Sequence, residues 1–115
     1  MEIGIDIEQN ERFKDMEQRK LEKIFAKNEI LYAQKFVDSE KHFCAFWCVK
    51  EALTKALSNK TLDYKSIEIT HTDDGQPYII INTNLQKFLY KMGYSNIKIS
   101  LSHSKDYSTA VCLIY

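Results

Sequence analysis

The chain has 115 residues, which is room for one domain spanning 1–115, and its 44% hydrophobic content is enough for a buried core without disulfides or a structural metal. Sixteen Lys plus Arg balance sixteen Asp plus Glu for a formal net charge of +0, so neither nucleic acid nor a membrane surface is expected as a partner through general attraction. With 3 Gly, 1 Pro and no low-complexity stretch, disordered and linker-like architectures are excluded. The three cysteines, Cys44, Cys48 and Cys112, form no disulfide framework and point to a reducing, cytoplasmic setting. Glu2, Asp6 and Glu8 stand where a signal peptide would be basic and then apolar, and no 18-residue apolar run exists, so neither export nor a membrane span is expected.

Ile3, Ile5 and Ile7 alternate with Gly4, Asp6 and Glu8, the period of a strand with one buried face; Asp6 lies opposite the isoleucines. Asn10 is read as the cap of a helix from about Glu11 to Phe25, and Asn28 as the cap of a short one ending near Phe36. Glu40 to about Leu57 is the longest helical segment, with Phe43, Phe46, Trp47, Leu53 and Leu57 among good helix formers. Ser66–His71 and Pro77–Asn82, separated by Asp73-Asp74-Gly75, read as a hairpin. Asn84–Met92 suits a short helix stopped by Gly93, and Asn96–His103 and Ser108–Ile114 flank a polar turn as two last strands. Tight turns between strands and helices grouped between them predict an α+β fold, an antiparallel sheet packed against the long helix.

No spacing rule brings Asp6 on a strand and Glu51 on a helix together; taken alone they read as an edge-strand charge and a solvated helix residue. If they converge, two carboxylates suit Mg²⁺ bridging to substrate phosphates better than a protein-only cage. Glu51 and Lys55 are an i,i+4 pair, and Lys55 one turn from a metal carboxylate would stabilise a leaving phosphate. His103, between Ser102 and Ser104, could face a phosphate at a strand end, although it and His71 equally suit structural roles. His42, Cys44 and Cys48 lack the ligand spacing of a metal site, and the cysteines read as core thiols. Arg12, Arg19 and Lys23 fall on one stripe of the first predicted helix, either a solvated face or a docking surface for an acidic protein.

Gly4-Ile5-Asp6, the block Trp47-Cys48-Val49-Lys50-Glu51-Ala52-Leu53-Thr54-Lys55, Gly75-Gln76-Pro77 and Ser100-Leu101-Ser102-His103 occur in the order found in the 4'-phosphopantetheinyl transferases, which the chain resembles over nearly its whole length. Its length is similar to that of the small single-unit synthase type. The resemblance implies Mg²⁺-dependent transfer of 4'-phosphopantetheine from coenzyme A to a serine of apo acyl carrier protein. It implies metal carboxylates at Asp6 and Glu51, a catalytic lysine at Lys55, coenzyme A contacts at Lys55, Gly75, Pro77 and His103, and a carrier-docking residue at Arg12. It also implies a homotrimer with interfacial sites. A non-catalytic module that binds coenzyme A or a carrier protein is the alternative. Two departures stand out: Phe46 occupies a position where the family often has arginine, and Leu57-Ser58-Asn59-Lys60 replaces a glycine-rich loop.

Overall fold

The computed structural model describes residues 1–58 and 62–115. Strand β1 (Glu2–Gln9) leads into a 3-10 turn (Asn10–Phe13), then helices α1 (Gln18–Ile24), α2 (Lys27–Ala33) and α3 (Ser39–Ala56). After a second 3-10 turn (Tyr64–Ser66) come β2 (Ile69–His71), β3 (Pro77–Ile79), α4 (Thr83–Lys91), β4 (Ile97–His103) and β5 (Tyr107–Ile114). The sheet order is β1-β5-β4, antiparallel throughout, and β2–β3 form a separate two-stranded hairpin. The α+β architecture expected from the sequence is therefore present, with α3 packed across β1 and β5.

The strand β1 is turned the other way from the simple hydrophobic expectation. Ile3, Ile5 and Ile7 are exposed by 66, 64 and 63%, whereas Gly4 is buried beneath α3 and Asp6 and Glu8 share its face. The reason is the closeness of the helix: a Cβ on Gly4 would stand 1.9 Å from the Ala52 carbonyl oxygen and 2.8 Å from the Ala56 nitrogen. Small residues on the matching face of β5, Ser108, Ala110 and Cys112, continue this close seat.

The single helix expected over Glu11–Phe25 is two elements. Asn10 does not cap it; its buried amide donates to the Ser104 and Lys105 carbonyls, and its side-chain oxygen accepts the Ser108 hydroxyl at 2.6 Å, tying the β4–β5 turn to the end of β1. Asp15 then adopts φ +56°, outside the helical range, before α1 begins. Nor does Asn28 cap α2, which begins after Ala26; the Glu29 carboxylate accepts the Ala26 N–H at 2.8 Å instead. Helix α4 follows the usual rules at both ends. Asn82 accepts the Leu85 N–H, and Gly93 at φ +82° lets the Tyr94 and Gly93 N–H groups close onto Leu89 and Tyr90.

The core joins the apolar face of α3 to Phe13, Leu21, Phe25, Ile30 and the inner face of β5. Cys44, Cys48 and Cys112 are all buried there as free thiols, as expected, and burial pushes the Cys112 thiol up to about 12. Among the described residues no helix is long and apolar enough to cross a membrane.

Candidate active site

The close seat of α3 on Gly4 sets Asp6 beside the C-terminal half of that helix. From its last turn Lys55 reaches back to donate to the Ile5 carbonyl at 2.9 Å and to Asp6 Oδ1 at 3.1 Å. The sequence places Lys55 opposite Glu51; the structure pairs it with Asp6 instead. The Asp6 backbone is fixed from the other side by the Thr109 hydroxyl, which donates to its carbonyl at 2.8 Å. One helical turn before Lys55, Glu51 Oε2 accepts the Tyr64 hydroxyl at 2.9 Å. Burial pushes the Tyr64 phenol up, Thr54 opposes this, and the Glu51 and Asp6 carboxylates add to the rise. Asp6, Glu51, Lys55 and Tyr64 thus form one cluster, of which Tyr64 was not legible in the sequence.

Among the described residues no three His, Cys, Asp or Glu side chains gather into a self-sufficient metal cage. The donor set is instead two hard carboxylates with an ammonium alongside. This fits Mg²⁺, which takes one or two carboxylates and completes its shell with water and phosphate oxygens. The Lys55 side chain is half exposed and its ammonium has a third N–H for an incoming anion.

Arg12 is next to this cluster. Its guanidinium lies 2.7 Å from Glu8 Oε2 and 4.5 Å from the centroid of Trp47, whose ring meets Tyr64 edge-on at 5.4 Å. The Gln9 N–H, then Arg12, hold the Glu8 carboxyl below the usual range. Arg19 and Lys23 lie on α1, beyond the break at Asp15, so the three do not share one helical stripe.

His103 stands across β5 from Glu8, on the face that meets α3, and its ring is 6.0 Å from that of His42 in the first turns of the helix. At about 1.5 Å per residue, this is roughly 14 Å along α3 from Glu51. Gly75, at φ +89°, forms the exposed tip of the β2–β3 hairpin. Pro77 lines a groove with Gln76, Tyr78 and β4 residues, to which Asp6, Glu51 and Lys55 do not contribute. Within one chain the structure therefore brings Asp6, Glu51 and Lys55 together and leaves Gly75, Pro77 and His103 apart from them. Phe46 is a core residue, 5.8 Å from Tyr32, and Lys41 pairs loosely with Asp38. Ser58 has φ +59°, while Asn59 and Lys60 lie outside the described residues.

An unexpected feature is the aromatic stack that carries the histidines. His42 lies 3.9 Å from Phe36 and His71 4.2 Å from Tyr32, both stacked. Burial holds both imidazoles below their ordinary value of 6.5; for His42, Asp38 opposes this and the neighbouring histidines and Lys41 add to it. As pH falls through about 6.5 the unfolded chain takes up these protons first, so stability is full above that value and declines below it. Thermal unfolding at pH 7.5 and 5.5 is expected to show a lower midpoint at the acid end, with the difference reduced in His42→Phe and His71→Phe.

The model of the 4'-phosphopantetheinyl transferase superfamily matches residues 2–112. The holo-[acyl-carrier-protein] synthase of Aquifex aeolicus is 37% identical over 119 residues, covering 97% of this chain and 96% of that protein. That of Leptospira biflexa is 30% identical over 122 residues, covering 100% and 96%. Among solved structures, the holo-[acyl-carrier-protein] synthase of Neisseria meningitidis aligns with a TM-score of 0.80 at 26% identity, covering 99% of this chain and 97% of its own. The enzyme from Bacillus anthracis, in complex with CoA (3',5'-ADP), aligns with a TM-score of 0.80 at 25% identity, covering 98% and 94%.

Proposed function

The chain belongs to the 4'-phosphopantetheinyl transferase superfamily, among its holo-[acyl-carrier-protein] synthases, and from that membership we propose that residues 1–115 act as one domain transferring 4'-phosphopantetheine from coenzyme A to a serine of apo acyl carrier protein. The serine hydroxyl gives up its proton to Glu51 or to a water at the site, its oxygen attacks the β-phosphorus, the P–O bond to the bridging oxygen breaks, and adenosine 3',5'-bisphosphate leaves. Asp6 and Glu51 would hold Mg²⁺, which when bound screens the pyrophosphate charge. Lys55 stabilises the negative charge that grows on the departing phosphate, and its anchorage to the Ile5 carbonyl keeps the ammonium at that spot before the ligand arrives. Arg12 offers its cation to the acidic carrier, and Arg19 and Lys23 on α1 are separate candidates for the same docking. Three buried free thiols fit a reducing cytoplasm.

The observation that supports this reading best is the Asp6–Lys55 contact across the strand–helix seam, with Glu51 one turn away. The test is the intact mass of apo acyl carrier protein after incubation with the protein, coenzyme A and Mg²⁺. A gain of one phosphopantetheine that vanishes with a chelator is expected. No gain, together with coenzyme A binding indifferent to the chelator, would leave the non-catalytic binding module.

Ile3, Ile5 and Ile7 are exposed on the outward face of β1, an edge strand among the described residues. We propose that they pack between copies in a homotrimer, in which a neighbouring copy brings its Gly75–Pro77 turn and His103 to the site for coenzyme A. This accounts for the distance of those residues from Glu51 within one chain. Sedimentation velocity distinguishes the trimer from a monomer.

A further inference from the structure

We propose that Tyr64 is a positioning residue for the Glu51 carboxylate, fixing how it meets the divalent cation; this rests on the function proposed above. Tyr64 Oη donates to Glu51 Oε2 at 2.9 Å, and among the described residues nothing pairs with Oε1. One oxygen is held and the other is left for the cation. A glutamate on a helix has three side-chain torsions, so an unheld carboxylate would spread over several rotamers.

The tyrosine is itself held at its ring and at its backbone. The ring lies edge-on to Trp47 at 5.4 Å, and Trp47 is backed by the Arg12 guanidinium at 4.5 Å. The Tyr64 carbonyl accepts the buried Lys50 ammonium at 2.6 Å. Lys50 precedes Glu51 on α3, so the backbone of the tyrosine and that of its carboxylate partner are locked to the same helical turn. A phenylalanine at 64 would keep the ring contact and the carbonyl bond and lose the grip on Glu51.

Partners of metal ligands of this kind change metal affinity by about 10- to 100-fold when removed. In a direct titration of Mn²⁺, read as free-ion signal by electron paramagnetic resonance with coenzyme A present, Tyr64→Phe is expected to weaken Mn²⁺ binding within that range. The Mg²⁺ concentration for half-maximal transfer rises by a similar factor, while the rate at saturating Mg²⁺ stays near wild type. Glu51→Gln serves as the reference. If it loses Mn²⁺ binding and Tyr64→Phe binds as wild type does, the positioning role is wrong and the metal assignment stands. If Glu51→Gln also binds as wild type, the metal assignment itself fails. Should Tyr64→Phe unfold early, Tyr64→Trp, which keeps a donor on a ring, is expected to bind Mn²⁺ better than Tyr64→Leu; equal binding by the two overturns the proposal.

Discussion

Glu51→Gln is expected to lower the rate of phosphopantetheine transfer by about 10²–10³-fold while leaving the thermal midpoint close to that of the parent. The side chain is only partly buried, and its partner among the described residues is the Tyr64 hydroxyl, from which a glutamine carbonyl oxygen can still accept a hydrogen bond. What the substitution removes is one charge. Asp6, Glu51 and Lys55 together carry one net negative charge, and Asp6 is already engaged by Lys55 at 3.1 Å. Without Glu51 the cluster is neutral, and an arriving cation meets a single carboxylate that shares its charge with an ammonium. The intact mass of the carrier followed over time measures the rate, and unfolding of the same preparation shows whether the fold survived. An undiminished rate would remove Glu51 from the site; a low rate with an early unfolding transition would mean that the substitution acts on the fold.

The elements that follow from local rules were legible: α3 from its long apolar stripe, the β2–β3 hairpin from Asp73-Asp74-Gly75, and the end of α4 from Gly93. The faces of β1 were not. Alternation of period two says that a strand has two faces but not which one is covered, and here the covered face carries Gly4 because the helix backbone approaches too closely for a side chain. Asn10 has the chemistry of a cap, but a buried amide can serve a distant turn as readily as the next helix. For the site, the residue blocks named Asp6, Glu51 and Lys55; the Asp6–Lys55 contact spans 49 positions and has no local signature. Tyr64 lies 13 positions from Glu51, on a 3-10 turn that no periodicity announces. Lys50 shows the limit most sharply, since a lysine grouped with Glu51 and Lys55 reads as surface and is in fact fully enclosed.

Lys50→Met is accordingly expected to destabilise the fold by about 3–5 kcal/mol, a large part of the roughly 5–15 kcal/mol that holds a domain together. The Lys50 ammonium and the Glu29 carboxylate are 2.8 Å apart with no exposed side-chain surface on either. Every strong valence is used: the ammonium also donates to the Tyr64 and Ile67 carbonyls, and the carboxylate accepts the Ala26 and Ile69 N–H groups. Methionine fills the volume but leaves Glu29 buried without its cation. Burial already pushes the Glu29 carboxyl up against the pull of Lys50, so without the lysine it favours the protonated form still more. A carboxyl raised in the folded state contributes stability below its unfolded value near 4.5 and loses it as pH rises through the folded one. Chemical denaturation of Lys50→Met is therefore expected to show a deficit that grows from about pH 4.5 upward, a slope that a simple packing defect would not produce. Adding Glu29→Leu removes the stranded charge and should recover part of the loss. It cannot recover all of it, because four backbone groups that the pair had satisfied remain in the interior, each costing about 1–3 kcal/mol when left without a partner. The carbonyl of Tyr64 is one of the four, so weakening this pair also loosens the residue that grips Glu51, and the activity of the double variant should lag behind its recovered stability.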